Sequence, residues 1–291
     1  MAQRDDRGDA KAPDTAMARL RRHLIDTRKI DLWSYKPGCI GRRVESRVRA
    51  TKTGDIDNYL RLVKRTPTEL DNLLDALTIN VTSFFRNPTT FEALRRKVFG
   101  PLFAIIERDE RPGLRVLSAG CATGEEPYSI AILLLQHFNE IINRAKVSVS
   151  VTGLDIDPEA IRYAERGVYF EKHLEGVPPE VIEEFFERVS VNEWVVAGAA
   201  RARVGFRQAN LLDGILGAGF DVVVCRNTLI YFRDADRTRC ILRFIDAIRE
   251  GGFLVLGRAE ALPSVARRLV TCIDPKEKIY QKRKGATGAA E

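Results

Sequence analysis

The stretch LSAGCATGEEPY, residues 117–128, decides the fold of this chain. It joins a short apolar run to a long helical pattern. Gly120 and Gly124 let the backbone approach a ligand closely, and the start of the helix offers N–H groups. The pattern is not G-x-G-x-x-G, and Glu125 and Glu126 would repel a pyrophosphate. Two acids there suit a ligand with an ammonium or sulfonium group, unless they only complement the helix dipole.

Apolar runs alternate with helical patterns over the second half of the chain. The runs are LRVLSAG, VSVSVTGLDID, FDVVVCRN and GFLVLGR. This alternation predicts a Rossmann-like α/β domain, in which crossover helices join the strands of a parallel sheet. The final segments, LVTCID and EKIYQKR, predict a hairpin on the edge of that sheet.

The alternation stops between Gly167 and Gly205. A helical pattern, PPEVIEEFFERV, leads into two short β-like runs, SVNEWVVA and RARVGF. The two runs are too close together for a parallel crossover connection. We therefore predict a small antiparallel β-subdomain inserted in the sheet domain, at about residues 168–199.

The first part of the chain has only helical patterns. Ile40, Val44 and Val48 recur every four residues and form one apolar stripe. The solvent-facing flanks of this stripe carry four arginines, namely Arg42, Arg43, Arg47 and Arg49. The predicted organisation is a disordered leader (1–15), a helical domain (16–90), the α/β domain (91–284) and a short tail (285–291).

Polar groups also follow the later strand-like runs. Asp155 ends the second run, where a carboxylate can accept both ribose hydroxyls of an adenosine. Asp157, which precedes a proline, fits a helix cap better. Asn210 follows another strand-like run, and its amide could bond the adenine edge while Leu211 flanks the ring, although such a pair is often just a turn. Three successive strand ends thus each offer a suitable group, and together they favour S-adenosylmethionine as the ligand.

Two further stretches bring polar residues near the same site. Residues 220–232, FDVVVCRNTLIYF, lack the Asn/Asp-Pro-Pro-aromatic motif with which amine-directed methyltransferases hold a neutral amine. Arg226 and Tyr231 would place a cation and a phenol near the methyl group of the cofactor, unless Tyr231 only packs in the hydrophobic core. Residues 77–88, LTINVTSFFRNP, add three polar side chains to an apolar stretch, or form a capped helix. These are Asn80, Thr82 and Arg86.

Composition narrows the functional class. The charge of +7 is concentrated in residues 1–90, which hold 18 basic and 12 acidic side chains. A basic patch suits nucleic acid or an acidic protein surface equally well. The five cysteines are scattered, which argues against zinc and disulfides, and we expect no metal. No apolar run reaches the ~20 residues of a membrane span. The scattered cysteines indicate a reducing compartment, so a cytoplasmic location is expected.

These stretches together resemble the CheR family of chemotaxis-receptor glutamate methyltransferases. The resemblance rests on INVTSFFR, GCATGEEPYSIAI, LDIDPEAIRYAERGVY, NLLD, CRNTLIYF and GGFLVLGRAE, in the family's order, over about residues 20–283. It implies a helical N-terminal domain, an S-adenosylmethionine-dependent Rossmann-like methyltransferase domain and a β-subdomain insert. The implied cofactor contacts are Asn80, Thr82, Arg86, Gly120, Glu126, Asp155, Asn210, Leu211, Arg226 and Asn227. Arg86 and Tyr231 are the implied catalytic residues, with Tyr231 beside the transferred methyl.

The implied activity is esterification of glutamate side chains on the helical cytoplasmic bundle of chemoreceptors. The four arginines are then expected to recognise that bundle, and the family's β-subdomain can dock a tethering peptide at the receptor C-terminus. Residues 168–199 depart most from the family pattern, so tethering stays open. We expect a monomer that neither binds nucleic acid nor inserts into the membrane. An RNA or small-molecule methyltransferase, or a non-catalytic S-adenosylmethionine sensor, remains an alternative.

Overall fold

A computed structural model describes residues 15–28, 30, 34–78, 82–109, 111, 113–214 and 216–287. The chain divides into two compact units, Met1–Ile79 and Asn80–Glu291. Sequence patterns put this boundary near residue 90, but Phe84 and Phe91 belong to the core of the second unit. Apart from Thr15, the predicted leader lies outside the described residues.

The first unit is helical where it is described. Its helices are α1 (Ala16–Arg28), α2 (Pro37–Thr51), α3 (Ile56–Arg65) and α4 (Pro67–Thr78). Ile40, Val44 and Val48 are buried on one side of α2, as their spacing predicts. The Asp55 side chain caps α3 by accepting the backbone N–H of Asn58 at 2.7 Å.

The second unit is built on two β-sheets. Its strands are β1 (Gly113–Ala119), β2 (Ser148–Asp155), β3 (Val168–Phe170), β4 (Phe186–Arg188), β5 (Glu193–Val196), β6 (Val204–Gln208), β7 (Phe220–Cys225), β8 (Ile248–Leu256), β9 (Val270–Asp274) and β10 (Ile279–Lys282). The larger sheet has seven strands in the order β6-β2-β1-β7-β8-β10-β9. The first five strands in this order, from β6 across to β8, are parallel to one another. The predicted Rossmann-like fold is confirmed, and so is the edge hairpin β9–β10, which pairs antiparallel.

The helices of the second unit either precede β1 or join its strands. They are α5 (Pro88–Ala93), α6 (Gly100–Arg108), α7 (Glu125–Arg144), α8 (Pro158–Arg166), α9 (Pro179–Phe185), α10 (Gly198–Arg201) and α11 (Asp234–Ala247). A π-helical segment, Leu94–Phe99, connects α5 to α6. No helix in the described part of the chain is long and apolar enough to cross a membrane.

The inserted subdomain is a three-stranded antiparallel sheet in the order β3-β5-β4. The predicted insert is therefore present, but the prediction for RARVGF was wrong. Its strand β6 pairs parallel with β2 in the larger sheet, from Val151–Val204 to Asp155–Gln208. The connection from β2 to β6 is long enough for a parallel crossover, because it includes α8 and the whole insert.

The strand order fixes where a ligand can bind. The chain runs from β1 outward to β2 and β6 and then returns to β7 on the other side of β1. In open α/β sheets, ligands bind beyond the carboxyl ends of the strands at such a reversal. Four of the predicted cofactor segments follow β1, β2, β6 and β7, so the topology gathers them at one edge.

Candidate active site

The turn after β1 is compact and admits only glycine at its first position. Gly120 has φ +77°, and a Cβ added there would lie 2.3 Å from Thr228 Oγ1. The Gly120 and Cys121 N–H groups donate to the Leu154 carbonyl at 2.7 and 3.0 Å. The turn after β1 is thereby fastened to the end of β2, with the segment after β7 directly against it.

Asp155 is buried at the end of β2, where the sequence placed a ribose acceptor. Its carboxylate accepts the backbone N–H groups of Ala122 at 2.8 Å and Asp157 at 3.0 Å. Burial raises the pKa of Asp155 to about 6 despite these two bonds. Each oxygen has a second lone pair, so two hydroxyl donors can still be accepted. Asp157 caps α8 through Glu159 N, as predicted.

Arg226, which is buried, and Glu126, which is partly exposed, form an ion pair at the β7 end of the site. Nη1 of Arg226 lies 3.2 Å from Oε2 of Glu126, and Ser118 donates to the other oxygen at 2.7 Å. Nη2 donates to the Arg86 carbonyl at 2.7 Å and to Asn87 Oδ1 at 2.8 Å. The cation predicted to lie near the methyl group therefore holds the backbone of Arg86 and the side chain of Asn87.

Residues 82–87, the described part of the segment that precedes α5, are irregular and form no helix. Phe85 and Asn87 have left-handed backbone, with φ of +50° and +63°. The Phe85 N–H donates to Ser129 Oγ at 2.9 Å, which fixes the segment to α7. Thr82 and Arg86 are half-buried here. Asn80, the third polar residue predicted for this stretch, lies outside the described residues.

The segment after β7 is anchored by a carboxylate that the sequence reasoning missed. Glu260 is buried and accepts the N–H groups of Asn227, Thr228 and Leu229 at 3.2, 3.0 and 2.7 Å. Burial raises its pKa even so. The sequence signal that could have indicated Glu260 is its position in GRAE, residues 257–260, at the end of the fourth apolar run. Tyr231 follows in a 3-10 turn, half-exposed, with its N–H donating to the Thr228 carbonyl at 3.3 Å.

Asn210 and Leu211 follow β6, as predicted. Asn210 Oδ1 accepts the Leu212 N–H at 2.9 Å, so this side chain stabilises a turn. Leu211 is buried, and Arg243 from α11 donates to its carbonyl at 2.9 Å. The local contacts of Asn210 match the alternative of a simple turn, and the adenine contact stays a prediction.

Backbone strain concentrates in these segments. Seven non-glycine residues of the described chain have left-handed backbone, and four of them lie at the candidate site. These are Phe85, Asn87, Ala122 and Asn227. Such conformations cost about 1–3 kcal/mol each, persist only where the surroundings impose them and cluster at functional sites. Together with the hydroxyl-accepting capacity of Asp155, this arrangement fits S-adenosylmethionine.

Comparison with known families decides the identity. Residues 80–278 match the family model "CheR methyltransferase, SAM binding domain", and residues 15–78 match "CheR methyltransferase, all-alpha domain". The chain belongs to the CheR methyltransferase family. It is accordingly an S-adenosylmethionine-dependent methyltransferase, as the strand-end residues predicted.

Similar proteins occur in several bacteria. Chemotaxis protein methyltransferase 1 of Pseudomonas aeruginosa is 34% identical over 69% of this chain and 74% of its own length. Chemotaxis protein methyltransferase 2 of Vibrio cholerae is 28% identical over 87% of this chain and 88% of its own length. An uncharacterized 104.1 kDa protein of Rhodobacter capsulatus is 35% identical over 88% of this chain, which spans only 26% of that longer protein.

The helical unit of this CheR protein does not leave all four predicted arginines available. Arg42 and Arg49 are exposed. Arg47 is half-buried and donates twice to Glu69, at 3.0 and 2.6 Å, and Arg43 donates to the Ala76 carbonyl. Although burial opposes it, hydrogen bonding from Arg47 and Tyr59 lowers the pKa of Glu69. Arg47 and Arg43 therefore join α2 to α4, and Arg42 and Arg49 are the better candidates for a partner surface.

Proposed function

We propose that this CheR protein is a protein-glutamate O-methyltransferase that esterifies chemoreceptors for sensory adaptation. The observation that carries the proposal is that both units match CheR domains in order, with relatives named chemotaxis protein methyltransferases. The proposed substrate class is taken from those relatives. The residues of the second unit support a carboxylate as the methyl acceptor.

The site chemistry agrees with a carboxylate substrate. A glutamate side chain, with an ordinary pKa of about 4.3, is already an anion at neutral pH and needs no general base. S-adenosylmethionine supplies a methyl group on a sulfonium, which is an activated leaving group. The protein then has to align the reacting atoms and exclude water from the carboxylate. Glu126, Glu260 and Asp155 are each engaged by N–H or O–H donors of the fold, so none is placed as a base.

The segment after β7 weighs against a neutral amine substrate. Its sequence, Arg-Asn-Thr-Leu, has no proline. The backbone N–H groups of residues 227–229 turn toward Glu260, and Arg226 is paired with Glu126. This arrangement replaces the Asn/Asp-Pro-Pro motif of amine-directed enzymes and favours oxygen over nitrogen as the methyl acceptor.

Two surfaces support a receptor partner. On the helical unit, the exposed Arg42 and Arg49 suit an acidic helical surface. On the inserted subdomain, Phe170, Val189 and Val191 are large apolar side chains that are 45%, 54% and 76% exposed. Exposed apolar groups beside unpaired strand edges suit an extended peptide, so a tether at the receptor C-terminus is part of the proposal.

A methyl-transfer assay tests the proposal. Purified protein and tritiated S-adenosylmethionine are incubated with membranes that carry chemoreceptors, and with the same membranes lacking them. Base-labile label that depends on the receptor identifies carboxyl esters and supports the proposal. Base-stable label, or label in added RNA, points to another acceptor. Cofactor binding without transfer to any acceptor would make the protein a sensor.

A further inference from the structure

The inserted subdomain reaches the turn after β1 through two side chains. Tyr169, on β3, is fully buried and donates its hydroxyl to the Thr123 carbonyl at 2.7 Å. His173, in the 3-10 turn Glu171–Leu174, places Nδ1 3.2 Å from Oε1 of Glu125. Both contacts fall on the first residues before and within α7, where the cofactor motif bends.

Glu125 is a fully buried acid that the proposed chemistry does not use. Its Oε2 accepts the Thr123 hydroxyl at 2.7 Å, which closes the turn on itself. Its Oε1 and the Nδ1 of His173 are both buried, and neither has a hydrogen-bond partner in the described chain. A buried carboxylate is costly without compensation, so the imidazole, close but not aligned for a hydrogen bond, is the group placed to supply it.

Tyr169 also contacts the segment before α5. Its ring packs edge-on against Phe84, with ring centroids 4.9 Å apart. A Cβ added at Gly124 would lie 3.0 Å from the Tyr169 hydroxyl, so the turn and this ring are in close contact. Tyr169 of the insert thus contacts both the turn before α7 and the segment before α5.

We propose that Tyr169 and His173 are positioning residues through which the inserted subdomain holds the cofactor-binding turn. Tyr169 acts on Thr123 and His173 acts on Glu125. Together they keep the backbone of residues 120–125 in the conformation that receives S-adenosylmethionine. The insert is then part of the cofactor site as well as a peripheral surface.

The test is cofactor affinity in variants that keep the aromatic packing. Tyr169→Phe removes one hydrogen bond, and His173→Phe removes the imidazole nitrogens. Each should weaken binding of S-adenosylhomocysteine about 3- to 10-fold by calorimetry. Turnover at saturating S-adenosylmethionine should change less than twofold, because the reacting atoms are untouched. His173→Gln, which keeps an N–H donor, should recover part of the affinity.

Tyr128→Phe is the matched control. Its hydroxyl lies in the same aromatic cluster but donates to the Ala164 carbonyl of α8, at 2.9 Å, and not to a residue of the turn. It should lower the melting temperature and leave cofactor affinity unchanged. Wild-type affinity in folded Tyr169→Phe and His173→Phe overturns the proposal. Should His173→Phe fail to fold, Tyr169→Phe, which differs from the wild type by one oxygen, still decides the outcome.

Discussion

Arg226 pairs with Glu126 across the carboxyl ends of β7 and β1, with Nη1 and Oε2 3.2 Å apart. The same guanidinium donates to the Arg86 carbonyl and to Asn87. Three separate stretches of the chain therefore meet at one cation, which is 3% exposed. Lysine cannot reproduce this pattern, because its ammonium lacks the rigid fork of a guanidinium.

Arg226→Gln should be destabilising. Removing the guanidinium leaves Glu126, which is 15% exposed, without its cation and the Arg86 carbonyl without its donor, which costs about 1–3 kcal/mol. Urea unfolding measures this loss, and hydrogen exchange should show faster opening of residues 84–87. The urea midpoint of Arg226→Lys should lie between those of the wild type and Arg226→Gln. An unchanged urea midpoint in Arg226→Gln would show that the pair contributes nothing to the fold.

Cofactor affinity should depend on pH through Asp155. Hydroxyl donors favour the carboxylate form, and the pKa of Asp155 is raised to about 6. Binding of S-adenosylhomocysteine should therefore weaken as the pH falls below about 6 and level off above about 7. Calorimetry across this range measures the effect. Asp155→Asn should bind weakly at every pH, and a pH slope identical to the wild type in that variant would contradict the assignment.

Asp155 makes the stability of the ligand-free protein depend on pH in the opposite direction from cofactor affinity. A carboxyl group whose pKa is raised on folding stabilises the fold below its unfolded value and loses that contribution as the pH rises through its folded value. For Asp155 the two values are 3.8 and about 6. Stability should fall by up to about 3 kcal/mol over this range relative to Asp155→Asn. Chemical denaturation at pH 4 and pH 7 tests the sign.

Tyr231→Phe should separate chemistry from binding. The 3-10 turn of Tyr231 follows a segment held by Glu260 through backbone bonds, so the turn does not need the phenol hydroxyl. We expect single-turnover methyl transfer to fall about tenfold or more while S-adenosylmethionine affinity is retained. Equal losses in both would make Tyr231 a binding or packing residue. Glu260→Ala should instead unfold the segment and lower both quantities.

Charge reversal of the exposed arginines tests receptor recognition. Arg42→Glu with Arg49→Glu should sharply reduce receptor methylation and make the residual rate less sensitive to salt, with cofactor affinity unchanged. Lys64→Glu with Arg65→Glu, on α3, makes the same change in net charge and serves as the control. Reversing Arg43 and Arg47 would be less informative, because Arg47 is bonded to Glu69. Equal effects of the two double variants would indicate non-specific steering.

Local patterns predicted most of the fold. The alternation of apolar runs and helices gave the parallel strands, and the final hairpin followed from two adjacent runs. Val204–Gln208 was misassigned because its partner, β2, precedes a long insert, and spacing to the preceding run suggested a local pairing. Pairing between distant segments is not encoded in short-range periodicity.

The candidate site was predictable where a residue type and a strand end coincide. Asp155 and Gly120 satisfy that condition and lie at the ends of β2 and β1, while their contacts with the cofactor stay a prediction. Glu260 was missed because its role depends on backbone N–H groups more than thirty residues away. The partners of Arg226 and Arg47 were missed for the same reason. Contacts between segments that are distant in the chain cannot be predicted from the local sequence of either segment.

The place of β10 between β8 and β9 has a consequence for synthesis of the protein. The edge of β8 that faces β10 stays unpaired until Ile279–Lys282 have been made, and the residues that pair there, Phe253, Leu254 and Val255, are apolar and buried. An unpaired apolar edge is a template for intermolecular strand pairing. Nascent chains stopped after β8 should therefore aggregate, and demand for chaperones should peak just before β10 leaves the ribosome.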